Sequence, residues 1–151
     1  MNIYELVKEI VKKSNDLKNK YTGEVNARVN YACIFCKNDD DFNNYIEALK
    51  KDGNSILEDT YSGPLFKINV DTVAGNLKLL KIRRHDDDHL DLGDADFTVK
   101  NYASFKNEYA SKPNFKLISG KNYEMIELME EGYDVRAYFS NPPLDEELGI
   151  K

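Results

Sequence analysis

Residues 93–109, GDADFTVKNYASFKNEY, repeat the pattern of residues 30–45, NYACIFCKNDDDFNNY. With Lys100-Asn101 set on Lys37-Asn38, Phe105 falls on Phe42 and Asn107 on Asn44. Each copy reads as a short apolar strand, Lys-Asn, three residues, a phenylalanine and a helix. A chain that repeats a strand-to-helix joint folds as two equivalent halves, so the repeat constrains the architecture more than any single residue does. It fixes no activity.

The rest of the chain fits two such halves. A length of 151 residues with 41% hydrophobic content suffices for one core without a disulfide or metal. Residues 2–20 carry Ile3, Leu6, Val7, Ile10 and Val11 on one stripe with lysines opposite, an amphipathic helix expected to pack on the body. The first half then reads as a strand at 29–36, a helix whose face is Phe42, Tyr45, Ile46 and Leu49, and strands at 55–59, 65–70 and 77–84. Asp39, Asp40 and Asp41 are expected to cap that helix and Gly53 to end it. The second half repeats the order: a strand at 95–100, a helix at 102–111 stopped before Pro113, and strands at 115–119, 123–129 and 134–140, the last two joined by a turn at Glu131-Gly132. The expected organisation is an N-terminal helix and connector at 1–24, a first βαβββ module at 25–84, a linker at 85–93, a second module at 94–140 and a tail at 141–151, in an α+β fold.

Charge and cysteine usage narrow the function classes. Net charge is −6 with an isoelectric point near 5.0, and the acidic residues are interleaved with lysines, which disfavours nucleic acid or anionic lipid as partner. No apolar run approaches the roughly 20 residues of a membrane span, and the N-terminus lacks the basic-then-apolar order of a signal peptide. Cytoplasm is the expected location. Cys33 and Cys36 form a C-x-x-C, but on a strand residues three apart point to opposite faces, so they read as two separately buried thiols. The stretch 85–92, HDDDHLDL, has neither the glycine nor the terminal glutamate of an EF-hand loop and reads as a solvated acidic linker.

The two joints, with the closing strands YEMIEL and DVRAYFS, resemble the vicinal oxygen chelate superfamily, which includes glyoxalase I, extradiol dioxygenases and bleomycin-resistance proteins. The resemblance covers Val29 to Ser140. It implies that each half curls a sheet and that the halves form a cup, and it makes a homodimer an expectation. Many members hold a divalent metal there, through His, Glu or Gln on the first strand and Glu on the fourth strand of each half. Here the matching positions are Tyr31 and Asp94 on the first strands, Lys78 or Leu80 on one fourth strand, and Arg136 or Tyr138 on the other. Lysine and arginine cannot enter a cation's coordination shell. The expectation is a metal-free relative with no cofactor.

Strand alternation nominates the lining of the cup. Ala32, Ile34, Cys36, Ala95, Phe97, Val99, Val135, Ala137 and Phe139 go to the helix side. Tyr31, Cys33, Phe35, Asp94, Asp96, Thr98, Asp134, Arg136 and Tyr138 go to the cup. From these, Tyr31, Asp94, Asp96, Arg136 and Tyr138 are the candidate ligand-binding residues. The competing reading is that Asp94 or Asp96 pairs with Arg136 purely structurally. No serine sits in a nucleophile elbow and the eight glycines are isolated turn residues, so paired-carboxylate chemistry at Asp94 and Asp96 is the one catalytic option. Three functions follow as expectations: binding of a small polar ligand in a metal-free cup, a lyase or isomerase with a displaced metal site at His85, His89 and Asp94, or an interaction module whose cup is filled by side chains.

Overall fold

A computed structural model describes residues 2–150; positions 1 and 151 of the expected terminal segments lie outside the described residues. In chain order the elements are α1 (Ile3–Tyr21), β1 (Arg28–Phe35), α2 (Asp39–Lys51), β2 (Ser55–Thr60), β3 (Gly63–Thr72), β4 (Gly75–Arg83), β5 (Gly93–Thr98), α3 (Tyr102–Tyr109), β6 (Phe115–Ser119), β7 (Glu124–Leu128), β8 (Val135–Asn141) and α4 (Leu144–Glu147). The repeated Lys-Asn has a physical role in both halves. Asn38 and Asn101 are N-caps, their side-chain oxygens accepting from Asp41 N at 2.8 Å and Ser104 N at 3.1 Å. The three aspartates expected to cap α2 occupy its first turn instead, where they complement the helix dipole. Phe42 and Phe105, three residues inside each helix, are buried.

All eight strands form one sheet in the order β2-β3-β4-β1-β5-β8-β7-β6. β1 and β4 run parallel, as do β5 and β8, while β1 and β5 pair antiparallel at the seam. Each half is therefore βαβββ, and the halves meet first strand to first strand. The sheet is curled. β2 and β7 stand six places apart in the order, which would separate them by about 29 Å in a flat sheet at ~4.8 Å per strand. Yet Glu58 and Thr60 of β2 line the same groove as Met125 of β7.

The convex face carries the core. Ala32, Ile34, Cys36, Ala95, Phe97, Val135, Ala137 and Phe139 are buried there together with Ile3, Val7, Ile10, Val11 and Leu17 of α1. The α1 helix lies across the seam, touching β1, β5 and β8. Ser14 Oγ donates to the Arg136 carbonyl at 3.0 Å, and Lys20 and Tyr21 donate to Glu130 at 2.8 and 2.6 Å. β5 must start with a residue that has no side chain, because a Cβ on Gly93 would land on the Cys33 carbonyl oxygen of β1, with Ile10 Cδ1 of α1 at 3.0 Å. Gly93 thus belongs to a strand rather than to the expected linker.

That packing predicts a contrast between two glycines. Gly93→Ala should cost ~2–3 kcal/mol in chemical denaturation, because backbone on one side and α1 on the other resist displacement. Gly23→Ala, where an added Cβ meets nothing within 4 Å, should stay within ~0.5 kcal/mol of the parent. Equal effects would mean that the β1 backbone does not approach Gly93 this closely.

Candidate functional site: the concave face

Strand register arranges the concave side chains in rows. One row runs Leu65–Lys81–Cys33–Asp94–Arg136 across β3, β4, β1, β5 and β8. The next runs Tyr31–Asp96–Tyr138–Glu127 across β1, β5, β8 and β7. Beneath them lies a chamber of about 120 Å³, lined by Tyr31, Arg83, His89, Asp94, Asp96 and Tyr138 among others. Tyr31, Asp96 and Met125 also line a groove of about 250 Å³, so the chamber opens into a mouth. Leu65, Lys81 and Tyr123 bound that mouth, and Leu144 of α4 covers one side of it. Arg28 holds α4 in place through Asp145 at 2.5 Å and Glu146 at 3.5 Å.

Four of the five nominated residues, Tyr31, Asp94, Asp96 and Tyr138, share the chamber. Arg136 does not join them, and neither expected pairing forms. Its guanidinium takes Asp91 bidentately, Nε to Oδ2 at 2.8 Å and Nη2 to Oδ1 at 3.1 Å, and also donates to the Asp88 carbonyl at 2.7 Å. Glu127 lies 3.4 Å from Nη1, and the Phe35 ring lies under the guanidinium. Asp94 stands beside Arg136 in register but is not its partner. The reason is that a buried cation needs counter-charge in its own plane, and the segment after β4 supplies it.

That segment is solvated only in part: His85, Asp87, Asp88 and Leu90 are exposed, while Asp86, His89 and Asp91 are partly buried. Asp86 accepts from the Asp88 amide at 2.7 Å and pairs with Arg83 at 3.2 Å, and these two contacts, in that order, hold its carboxyl down at about 2. The resulting turn presents the His89 ring edge-on to Phe35 at 4.9 Å. Burial first, then the charges of Arg83 and Arg136, lower the His89 pKa and favour the neutral imidazole.

The two aspartates differ in what surrounds them. Asp96 Oδ1 accepts from Asn30 Nδ2 and the Ser140 amide, each at 3.1 Å, and its other oxygen from Ser140 Oγ. Burial nevertheless pushes its pKa up to about 6. Asp94 is 6% exposed, and its Oδ1 has no hydrogen-bond partner. Burial, reinforced by Asp96, raises its pKa well above the ordinary carboxylate value, which favours the protonated acid, a hydrogen-bond donor. The paired-carboxylate option therefore reduces to one: Asp94 has a proton to give, while Asp96 is occupied in holding β8 to β5. Burial likewise raises the thiol pKa values, well up for Cys33 on the concave face and to about 12 for Cys36 in the core. Both are free thiols.

Lys81, Arg83, Asp91, Asn30 and Ser140 complete the site and were not among the nominated residues, while His89, nominated only for the displaced metal site, also lines the chamber. Ser140 continues the alternation of Arg136 and Tyr138 and was readable. Lys81 was hidden because the core takes Leu77 but also Leu80 and Ile82: the alternation breaks where β3–β4 pairing shifts register. The concave residue of β4 is thus neither Lys78 nor Leu80. Asn30 reaches Asp96 across a similar irregularity between Val29 and Tyr31.

The metal positions implied by the resemblance hold Tyr31, Lys81, Asp94 and Arg136 or Tyr138, and this set does not fit a divalent cation. Two of the four places present a cation, and Arg136 is already neutralised by Asp91. The displaced set is not assembled either: His89 and Asp94 share the chamber, but His85 lies half-exposed beside Asp87 at 3.6 Å. Among the described residues no group of three or more His, Cys, Asp or Glu could hold a metal ion.

Asp94 dictates a pH dependence. Its folded pKa lies above the ordinary ~3.9, so the folded state binds more protons than the unfolded one and stability falls as pH rises. The loss begins at pH ~4, the ordinary carboxylate value, and continues as pH rises toward the raised folded value. Asp94→Asn keeps the shape of the acid and cannot ionise. Its melting temperature should exceed the parent's at pH 8, the difference shrinking toward pH 4. A variant less stable than the parent at pH 8 would show that Asp94 is ionised and paired.

No family model matches this chain, and no curated protein does. Among solved structures it is similar to a glyoxalase/bleomycin resistance protein/dioxygenase superfamily member from Vibrio splendidus 12B01, with 10% identity over 76% of this chain and 97% of that one and a TM-score of 0.49. It is also similar to a glyoxalase I mutant from Zea mays, with 14% identity over 78% of this chain and 44% of that one and a TM-score of 0.43. The fold assignment rests on strand order and pairing: two βαβββ units joined first strand to first strand in one curled sheet make this the vicinal oxygen chelate fold.

Proposed function

We propose that this chain is a small cytoplasmic binding protein that takes a small polar ligand into the cup without a metal. One observation carries the reading. Buried side-chain polar atoms are almost always hydrogen-bonded, and five among the described residues are not: Asn30 Oδ1, Arg83 Nε, His89 Nδ1, Asp94 Oδ1 and Tyr102 Oη. Three of the five belong to residues that line the one chamber. His89 Nδ1 is 3.3 Å from Asp86 Oδ2 but is not aligned with it. Leaving such groups unsatisfied costs roughly 1–3 kcal/mol each, and a ligand with matching polar atoms removes that cost. The chamber's volume, several times the ~30 Å³ of a water molecule, supports this reading over a cup filled by side chains. The two cysteines, buried and unpaired, agree with a reducing compartment.

The test is amide-resolved NMR against a library of small molecules of mixed charge. Binders should shift the backbone amides of Tyr31, Lys81, Asp94 and Ser140, and Asp94→Ala, checked for folding by circular dichroism, should weaken them at least ~10-fold, the loss expected for one buried polar contact. A library in which every binder perturbs only the convex face, or in which nothing binds, would refute the reading.

A further inference from the structure

The polar groups of the cup are unevenly matched, and the imbalance points to a ligand class. Arg136 is satisfied by Asp91 and Glu127, Tyr138 Oη donates to Glu127 at 2.6 Å, and Asp96 is filled by Asn30 and Ser140. What remains open on the same face is mostly donors. Lys81, half-buried in the mouth, makes no hydrogen bond or ion pair among the described residues. Along the row the carboxyl groups nearest to it stand two places away on either side, Asp94 across Cys33 and the exposed Glu58 across Leu65. Arg83 spends Nη2 on Asp86 and leaves Nε without an acceptor. Lys81 and Arg83 stand two residues apart on one strand face, with Cα atoms about 7 Å apart, and look across Cys33 and Phe35 toward Asp94.

Resting on the binding reading above, we propose that the ligand is a monocarboxylate with an apolar body, its carboxylate held between Lys81 and Arg83 against Asp94 and its body lying along the mouth. Lys81 supplies the one uncommitted positive charge, and Arg83 contributes a directed N–H whose charge Asp86 already offsets. That total suits one negative charge rather than two. The mouth beyond Lys81 is bounded by Leu65, Tyr123, Met125 and Leu144, which suits a hydrocarbon or aryl body. Glu58 and Glu147, both exposed at the same mouth, disfavour a second carboxylate. Lowering of the Lys81 pKa by burial agrees with a cation that lacks its counter-ion. Asp94, as an acid, can donate to the bound carboxylate instead of repelling it.

Matched triples separate this class from its neighbours: phenylacetate, phenylacetamide and phenethylamine, then 3-phenylpropionate with its amide and amine, and inorganic phosphate, each titrated by NMR at the chamber amides. The acid should bind at least tenfold tighter than its amide and amine and tighter than phosphate. Lys81→Gln and Arg83→Gln should each cost the acid about tenfold without changing the amide, and Lys81→Arg should restore most of the loss. An amide or amine that equals the acid, phosphate that outbinds it, or library members that reach the chamber while none of the acids does would overturn the proposal and leave the binding cup standing. Absence of any chamber binder would instead remove the cup reading itself.

Discussion

The antiparallel pairing of β1 with β5 is the contact on which the rest of the molecule depends. It sets Tyr31 beside Asp96 and Cys33 beside Asp94, and each half's parallel partner strand then adds Lys81 on one flank and Arg136 on the other. Two strands with nearly the same pattern thereby carry different concave chemistry, aromatic and thiol in the first half, carboxyl in the second. On the other face the seam is backed by α1 and by the alternating apolar residues Ala32, Ile34, Ala95 and Phe97. A residue on either strand cannot slip by one position without exchanging carboxyls for core side chains.

Burying three ionisable groups, Arg136, Asp96 and Asp94, on one sheet face forces a settlement among them. Arg136 is 7% exposed and could not remain there alone, since an unpaired buried ion costs several kcal/mol. The segment between the halves meets that requirement with Asp91, and the same segment brings His89 over Phe35. Asp96 is accommodated by Asn30 and Ser140. Asp94 receives no partner for Oδ1, and the local balance moves its proton equilibrium instead. The site is what is left after the structural pairs have formed: an acid, a lysine and one edge of an arginine around a chamber.

Much of this was legible in the chain itself. The duplicated joint gave the two halves, and strand alternation put Tyr31, Asp94, Asp96 and Tyr138 on one face because those strands are short and regular. Three things were hidden for physical reasons. Irregular pairing at Val29/Tyr31 and at Lys67/Val70 breaks the period-two rule, which concealed Asn30 and Lys81. The partner of Arg136 came from a segment with no periodicity, where composition alone suggested solvent. The first turn of α2 drew attention to its aspartates, while Asn38, repeated as Asn101, was the cap.

The central claim is that the sheet curls until β2 and β7, six places apart in its order, face each other across one mouth. The most direct test is a pulsed electron–electron spin resonance distance between labels at Glu58→Cys and Tyr123→Cys, in a background with Cys33→Ala and Cys36→Ala. Both positions line the mouth, so the account predicts a distance below roughly 20 Å. A distance near the ~29 Å of a flat sheet, six strand spacings, would contradict the cup.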